Sequence, residues 1–185
     1  MREHELIALT APPTLAVVRA IRDEQLTART PCAEYDVQGL IDHMLHWGPS
    51  LARAGRPSDG TAQTGGSPLE RQIEEVVAAW SVPAAWQGVT SMGGPHEMPA
   101  RMIGAMAAGE IVVHGWDLAR ATGQQYAADP RLLEPLIEFL SQGPREGTPG
   151  TFGPVVEVEG EAELLDQAVA LAGRNPRWRS PPSAR

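Results

Sequence analysis

Residues 103–119 read IGAMAAGEIVVHGWDLA, and this apolar stretch decides the fold. Its only ionisable side chains are Glu110, His114 and Asp117. Positions i, i+4 and i+7 share one face of an α-helix, so the three groups form a single polar stripe. The rest of the helix surface is apolar, which is typical of a helix buried inside a domain. The sequence therefore predicts a buried helix over residues 99–123 that carries charge into the core.

A buried carboxylate beside an imidazole is costly unless the two groups are hydrogen-bonded or hold a cation. Glu110 and His114 are therefore either an ion pair or two ligands of a divalent metal. A catalytic metal site needs a third ligand from a neighbouring helix. We assign that role to His43, because it lies between Leu40 and Trp47 on an otherwise core-like stripe. A metal-free, hydrogen-bonded network of the same three side chains is the third interpretation.

Other polar residues are expected around this site. Asp117 can accept the second ring N–H of an imidazole and fix its tautomer, or act as a cap or salt-bridge partner. Arg120 follows Asp117 at i+3 and is expected to neutralise it or to reach an anionic ligand. His46 and Trp47 are candidate rim residues, with a reserve-ligand role as the alternative for His46 and core packing for Trp47. Trp116 is also expected in the core.

The ligand set favours zinc, with nickel or iron as alternatives. Two neutral imidazoles and one carboxylate leave a divalent cation with a net charge of about +1, which would stabilise a bound hydroxide or thiolate. No side chain is assigned as the catalytic residue, since a metal-bound thiol or water would serve. The remaining histidines, His4 and His96, are expected in solvent. Cys32 is expected to be an inert buried thiol, because no basic residue flanks it.

The chain of 185 residues suits a single domain over residues 1–185, with a core at about 3–142 and a C-terminal extension at about 150–178. A net charge of −8 argues against a nucleic-acid-binding role. We expect no membrane segment, because no apolar window reaches the length of a membrane span. A lone cysteine and the absence of a signal-peptide pattern predict a cytoplasmic protein. The apolar faces of the predicted helices are compatible with a homodimer.

Breaker and capping residues predict the remaining elements. Further helices are predicted within residues 3–25 and at about 37–53, 68–80, 130–142 and 161–172, with Asp36 and Ser67 as N-caps and Gly123 as a C-cap. These helices predict an all-α protein with an up-and-down four-helix core.

The intervening segments carry four more expectations. Pro49 should kink the second helix or end its regular part near Trp47. Residues 54–66 should form a loop, and residues 81–98 an irregular segment with a short extended piece at 86–91; both could shape a substrate pocket. Residues 153–159 are expected to form a short strand. The tail over residues 175–185 is expected to fray.

Several segments resemble one known family. They are TPCAEYDV and LIDH (residues 30–37 and 40–43), VHGWDLARATG (residues 113–123), FGP (residues 152–154) and AGRNPRW (residues 172–178). They resemble the DinB-like metal-binding proteins of actinobacteria. Relatives of that family include the mycothiol-dependent maleylpyruvate isomerases, whose N-terminal domain is a four-helix bundle with a His/Glu/His zinc site.

The resemblance implies a DinB-like four-helix bundle with extra short helices and a small C-terminal extension. Carried over position by position, the zinc site falls on His43, Glu110 and His114. The implied cofactors are zinc and a low-molecular-weight thiol such as mycothiol, used for transfer to, or isomerisation of, a small electrophile. The isomerases carry a further C-terminal domain that helps to hold the substrate, whereas little of this chain follows residue 150. A non-catalytic metal-binding or sensing bundle is the alternative.

Overall fold

The computed structural model of the chain describes residues 2–55, 66–148, 152–158 and 162–180. Most of these residues are helical, which confirms the predicted all-α class. The α-helices of the described part are α1 (Glu3–Leu6), α2 (Ala11–Arg19), α3 (Val37–Gly55), α4 (Pro68–Trp80), α5 (Ala100–Thr122), α6 (Pro130–Ser141) and α7 (Leu164–Leu171). Short 3₁₀ turns lie at Ile7–Leu9, Asp23–Gln25 and Pro83–Trp86. Strands β1 (Val89–Thr90) and β2 (Met98–Pro99) form a small antiparallel pair.

The predicted caps explain where the longer helices begin and end. At the start of α4, the Glu70 N–H donates to Ser67 Oγ at 3.3 Å, and the Ser67 N–H donates to Glu70 Oε2 at 2.7 Å. At the start of α3, the Gly39 N–H donates to Asp36 Oδ1 at 2.8 Å. Helix α5 ends at Gly123, which has a φ of +74°. Glycine adopts this left-handed conformation without steric cost, so it stops the helix there.

Pro49 does not end α3, which continues to Gly55. A proline inside a helix removes one backbone hydrogen bond and costs about 3 kcal/mol. The turn that follows it buries Leu51, Ala52 and Ala54 in the core. This apolar burial offsets the lost hydrogen bond. Of the two predicted alternatives, a kink or an end to the regular helix near Trp47, the second was wrong.

The N-terminal helix is divided in two. Helix α1 is followed by the 3₁₀ turn and then by α2, whose first turn contains Pro12 and Pro13. Proline is tolerated in a first turn because those N–H groups have no partner within the helix. The sequence left open whether Pro12 and Pro13 start the main helix at Thr14 or separate a short leading turn from it, and the structure confirms the second alternative.

The C-terminal segments differ from their predictions. Residues 152–158 form no strand in the described part of the chain, because Val155 and Val156 donate their N–H groups to the carbonyls of Arg145 and Ala170. The expected extended piece at 86–91 is present as β1, but its partner β2 was not predicted. Residues 175–180 do not simply fray, since Arg120 Nη2 donates to the Trp178 carbonyl at 2.6 Å. The tail beyond residue 180 and most of the predicted 54–66 loop lie outside the described residues.

Helix α5 is the central element, and it packs against α2, α3, α4 and α6. Every residue from Ile111 to Ala119 is buried, which confirms the prediction of a core helix. Helices α3 and α4 also pack on each other, while α6 packs on α7. Packing of α3 against α5 is the contact that brings the candidate site together. Within the described ranges, no helix combines the length and the hydropathy that a membrane span requires.

Candidate metal centre

The three predicted ligands, His43 from α3 and Glu110 and His114 from α5, converge at one point. Glu110 Oε1 lies 3.0 Å from His43 Nε2 and 3.4 Å from His114 Nε2. The two imidazole rings meet edge to face, with centroids 5.2 Å apart. Within the described residues, these side chains form a group whose three ligand atoms all lie within 4.8 Å of one another. The geometry therefore suits a shared cation.

Local structure explains this convergence. Glu110 and His114 lie one helical turn apart on α5, so their side chains share a face. His43 is flanked on α3 by Leu40 and Met44, which are buried in the core. Their burial turns this face of α3 toward α5 and carries His43 with it.

The carboxylate oxygen at the centre of the group has no hydrogen-bond partner in the described part of the molecule. Glu110 Oε1 is buried, and neither nearby ring nitrogen has hydrogen-bond geometry toward it in spite of the short distances. A buried carboxylate oxygen without a partner is costly. Ligand atoms about 2.1 Å from a tetrahedral zinc ion lie roughly 3.4 Å from each other, close to the two spacings seen here. The donor set therefore fits a divalent cation.

In the absence of a cation, the same side chains form an ion pair. Burial alone would raise the pKa of Glu110, but the charge of His114 and the neighbouring His43 outweigh it and hold the pKa well below its usual range. Burial alone would lower the pKa of His114, but the Glu110 carboxylate and the hydrogen bond with Asp117 raise it to about 9. A metal ion must displace the imidazole proton, so metal binding and protonation compete at this site.

Asp117 occupies the predicted position behind His114. Its Oδ2 atom lies 3.0 Å from His114 Nδ1, and the residue is fully buried. An ionised carboxylate can only accept, so Nδ1 is the donor in this hydrogen bond. Nε2 of the neutral ring is then left with its lone pair directed toward the Glu110 side, which is the tautomer a metal ligand needs.

The cation that neutralises Asp117 is Arg174, and the alternative in which Arg120 does so was wrong. Arg174 Nη2 and Nε lie 3.1 and 3.3 Å from Asp117 Oδ2. Arg120 instead donates to the Trp178 carbonyl and places its guanidinium 5.6 Å from the centroid of the Trp116 ring. The i+3 spacing suggested Arg120 as the partner of Asp117, because helical periodicity indicates neighbours within one helix and not those from other segments. Arg174 lies in the segment AGRNPRW (residues 172–178), which carries the family resemblance but was not used to predict the site.

The other candidate residues lie outside the cluster. His46 is exposed on α3. Trp47 has 42% of its surface exposed, so the alternative that it packs in the core was wrong. Trp116 is buried, as expected. His4 was expected in solvent, but only 12% of its side chain is exposed.

His96 agrees with its prediction, whereas Cys32 is half-buried and not buried as expected. Burial raises the pKa of the Cys32 thiol, which agrees with an inert side chain. His96 is exposed.

Two cavities border the helices that carry the site. The one that touches Glu110 has a volume of about 20 Å³, room for one water molecule, and its other walls include Met44, Gly48 and Ile73. A cleft of about 960 Å³ lies between the N-terminal half of α5, α6 and the C-terminal segment, and none of the three ligands lines it. From the predicted pocket segment 81–98, Trp86 and Met98 line this larger cleft and not the metal centre. The other predicted segment lies mostly outside the described residues.

The chain is similar to two mycobacterial proteins of unassigned function. Uncharacterized protein MT0763 and Uncharacterized protein Rv0738, from two strains of Mycobacterium tuberculosis, are each 28% identical to it over 171 residues, covering 88% of this chain and 92% of theirs. No protein-family model matches the chain. No solved structure matches it. The chain is therefore similar to mycobacterial proteins along most of its length.

Proposed function

We propose that this protein binds a divalent metal through His43, Glu110 and His114, and the ligand set favours zinc over nickel or iron. The observation that carries the proposal is the buried Glu110 Oε1 atom, which has two imidazole nitrogens within 3.4 Å and no hydrogen bond in the described residues. Two imidazoles and one carboxylate are a common ligand set of catalytic zinc. Without a metal, this oxygen has ion-pair contacts but no hydrogen bond in the described residues, which favours the metal-binding interpretation.

We further propose that the protein is an enzyme that uses a low-molecular-weight thiol, such as mycothiol, for transfer to or isomerisation of a small electrophile. When bound, the cation supplies Lewis acidity that favours the thiolate form of such a thiol. His43 and Glu110 hold the outer side of the site, where 17% and 23% of their side chains are exposed. His114 holds the inner side, where Asp117 orients its ring.

Two features favour an enzyme over a non-catalytic metal-binding or sensing protein. A structural zinc site usually has four protein ligands, whereas a catalytic site keeps a position open. In the part of the chain that the structure describes, three side chains supply the ligand atoms, and His46 is not among them. Asp117 is occupied by His114 and Arg174. The partial exposure of Glu110 gives a small ligand a route to the open position.

The DinB-like architecture is part of the same proposal. Helix α5 packs against α2, α3 and α4, and α4 also packs against α2 and α3. A four-helix bundle with ligands on facing helices would have this arrangement. Helices α6 and α7 would then be additions to the bundle.

Metal content is the first test. Protein purified without a histidine tag is treated with a chelator, reloaded with zinc, and analysed by mass spectrometry of the native protein. We expect one zinc ion per chain. The matched control is His46→Ala, which removes an exposed histidine of the same helix and should retain that ion. A wild-type protein that holds no metal after separate reloading with zinc, nickel and iron would refute the proposal.

Activity is the second test. The zinc-loaded protein is assayed with a panel of cellular thiols against electrophilic substrates, following loss of the thiol and of the substrate. The enzyme proposal predicts turnover that needs both zinc and one particular thiol, and that His46→Ala retains. Binding of zinc without turnover of any pair would favour the non-catalytic alternative.

A further inference from the structure

A buried arginine from the C-terminal segment lies behind the metal centre. Arg174 follows α7 and has 4% of its surface exposed. Burial of a guanidinium is costly unless its N–H groups have partners. Arg174 Nη1 donates to the Ala172 carbonyl at 2.6 Å, while Nη2 and Nε lie 3.1 and 3.3 Å from Asp117 Oδ2. Much of its hydrogen-bonding capacity is therefore directed at one carboxylate oxygen.

The same oxygen is the one that meets the metal ligand. Asp117 Oδ2 accepts from Arg174 and also from His114 Nδ1, at 3.0 Å. The other oxygen, Oδ1, is buried without a hydrogen bond in the described residues. The position of Asp117 is therefore set by Arg174 on one side and by His114 on the other.

We propose that Arg174 is a positioning residue of the metal centre, which acts through Asp117 to orient the His114 ring with Nε2 toward Glu110 and His43. This inference rests on the proposed metal-binding function. Partners that fix the ring of a metal-bound histidine typically contribute about 10- to 100-fold in metal affinity. With this role, the C-terminal segment is part of the site and not an appendage to it.

The direction of the change in metal affinity on removal of Arg174 separates a positioning role from an effect of its positive charge alone. A positive charge close to the site disfavours a divalent cation, so removal of Arg174 would tighten metal binding if its charge were all that mattered. If Arg174 positions Asp117, its removal leaves the carboxylate held by the imidazole alone. The ring then loses its fixed orientation, and binding weakens.

A purely structural role, in which Arg174 only anchors the C-terminal segment, has its own matched control. Arg120 also joins α5 to that segment, through the Trp178 carbonyl at 2.6 Å, but it makes no hydrogen bond to Asp117 or to the three ligands in the described residues. Arg120→Met therefore weakens the attachment of the segment without touching Asp117.

The experiment compares wild type, Arg174→Met, Arg174→Lys and Arg120→Met. The zinc dissociation constant is measured by competition with a chromophoric chelator, and the visible absorption spectrum is recorded with cobalt in place of zinc. Arg174→Met should bind zinc about 10- to 100-fold more weakly and show altered cobalt bands. Arg174→Lys should recover part of the affinity, because lysine keeps the charge but not the paired N–H donors. Arg120→Met should keep the wild-type constant and spectrum.

Three results would overturn the inference. They are unchanged or tighter zinc binding by Arg174→Met, an unaltered cobalt spectrum in that variant, or an equal loss in Arg120→Met. If circular dichroism shows that Arg174→Met does not fold, Arg174→Lys decides, since wild-type affinity and spectrum in that variant would also contradict a positioning role. Failure of the wild-type protein to bind metal refutes the proposed function itself, and is thereby distinguished from failure of this inference.

Discussion

The inner and outer sides of the metal centre differ in how their polar atoms are satisfied. On the inner side, His114, Asp117 and Arg174 are buried and joined by hydrogen bonds. On the outer side, His43 and Glu110 are partly exposed, and Glu110 Oε1 has no hydrogen bond in the described residues. The inner side is built to hold a ring in place, whereas the outer side presents ligand atoms. This division agrees with the proposed metal-binding function, in which the buried partners orient one ligand of the cation.

The largest expected effect comes from His114, the proposed metal ligand on the inner side. His114→Ala removes a ligand and also the partner of Asp117, so stoichiometric metal binding should be abolished. Zinc content after reloading measures the effect, with His46→Ala as the control that keeps its zinc. Retention of a full equivalent by His114→Ala would remove this residue from the ligand set.

The metal-free protein should lose stability as the pH rises. The pKa of His114 is raised from its usual 6.5 to about 9 in the folded state, so its ion pair with Glu110 stabilises the protein fully below pH 6.5 and is lost as the pH passes 9. The free energy of unfolding should fall by on the order of 3 kcal/mol across this range. Urea denaturation at several pH values measures it.

This pH dependence has a matched control, His114→Ala, and zinc affinity should change with pH in the opposite direction to stability. His114→Ala removes the titrating group, so its stability should lack this decline. Zinc affinity should increase over the same pH range, because the metal competes with the imidazole proton. A wild-type curve that runs parallel to that of His114→Ala would contradict the ion pair.

Zinc binding at this site should stabilise the folded protein against unfolding. At a free zinc concentration 100 times the dissociation constant, the free energy of unfolding should rise by about 2.7 kcal/mol. Urea denaturation with zinc or with a chelator measures the difference. The stabilisation should be absent in His114→Ala, and its persistence there would indicate that zinc binds elsewhere.

The smallest predicted effect tests the inner side alone. Asp117→Asn should weaken zinc binding by about 10- to 100-fold, or about 1.4 to 2.7 kcal/mol, because the amide cannot replace the carboxylate that orients the ring. Isothermal titration with zinc measures the constant. An unchanged value would show that Asp117 neutralises Arg174 without acting on the metal centre.

The predictions that held are those that depend on neighbours in the chain. The buried character of α5, the capping box of Ser67 and Glu70, and the glycine that ends α5 all follow from local residue patterns. The shared face of Glu110 and His114 follows from helical periodicity. Each of these features spans at most a few turns, so the sequence contains all the information that determines it.

The predictions that failed depend on contacts between distant segments. The regular part of α3 does not end near Trp47 because of the core contacts beyond Pro49, and residues 152–158 form no strand because their N–H groups meet Arg145 and α7. Arg120 was assigned to Asp117 from the spacing within one helix, but Arg174, from a remote segment, takes that place. The spacing of residues within one helix does not show which residue of a distant segment will contact a buried group such as Asp117.

The sequence by itself determined that a core helix carries Glu110, His114 and Asp117 on one face, and it identified His43 as their partner. The tertiary structure decided that α3 brings His43 to within 3.0 Å of Glu110 and that Arg174 closes the inner side of the site. The physical reason is that helical periodicity sets distances within an element, whereas packing of the apolar faces sets distances between elements.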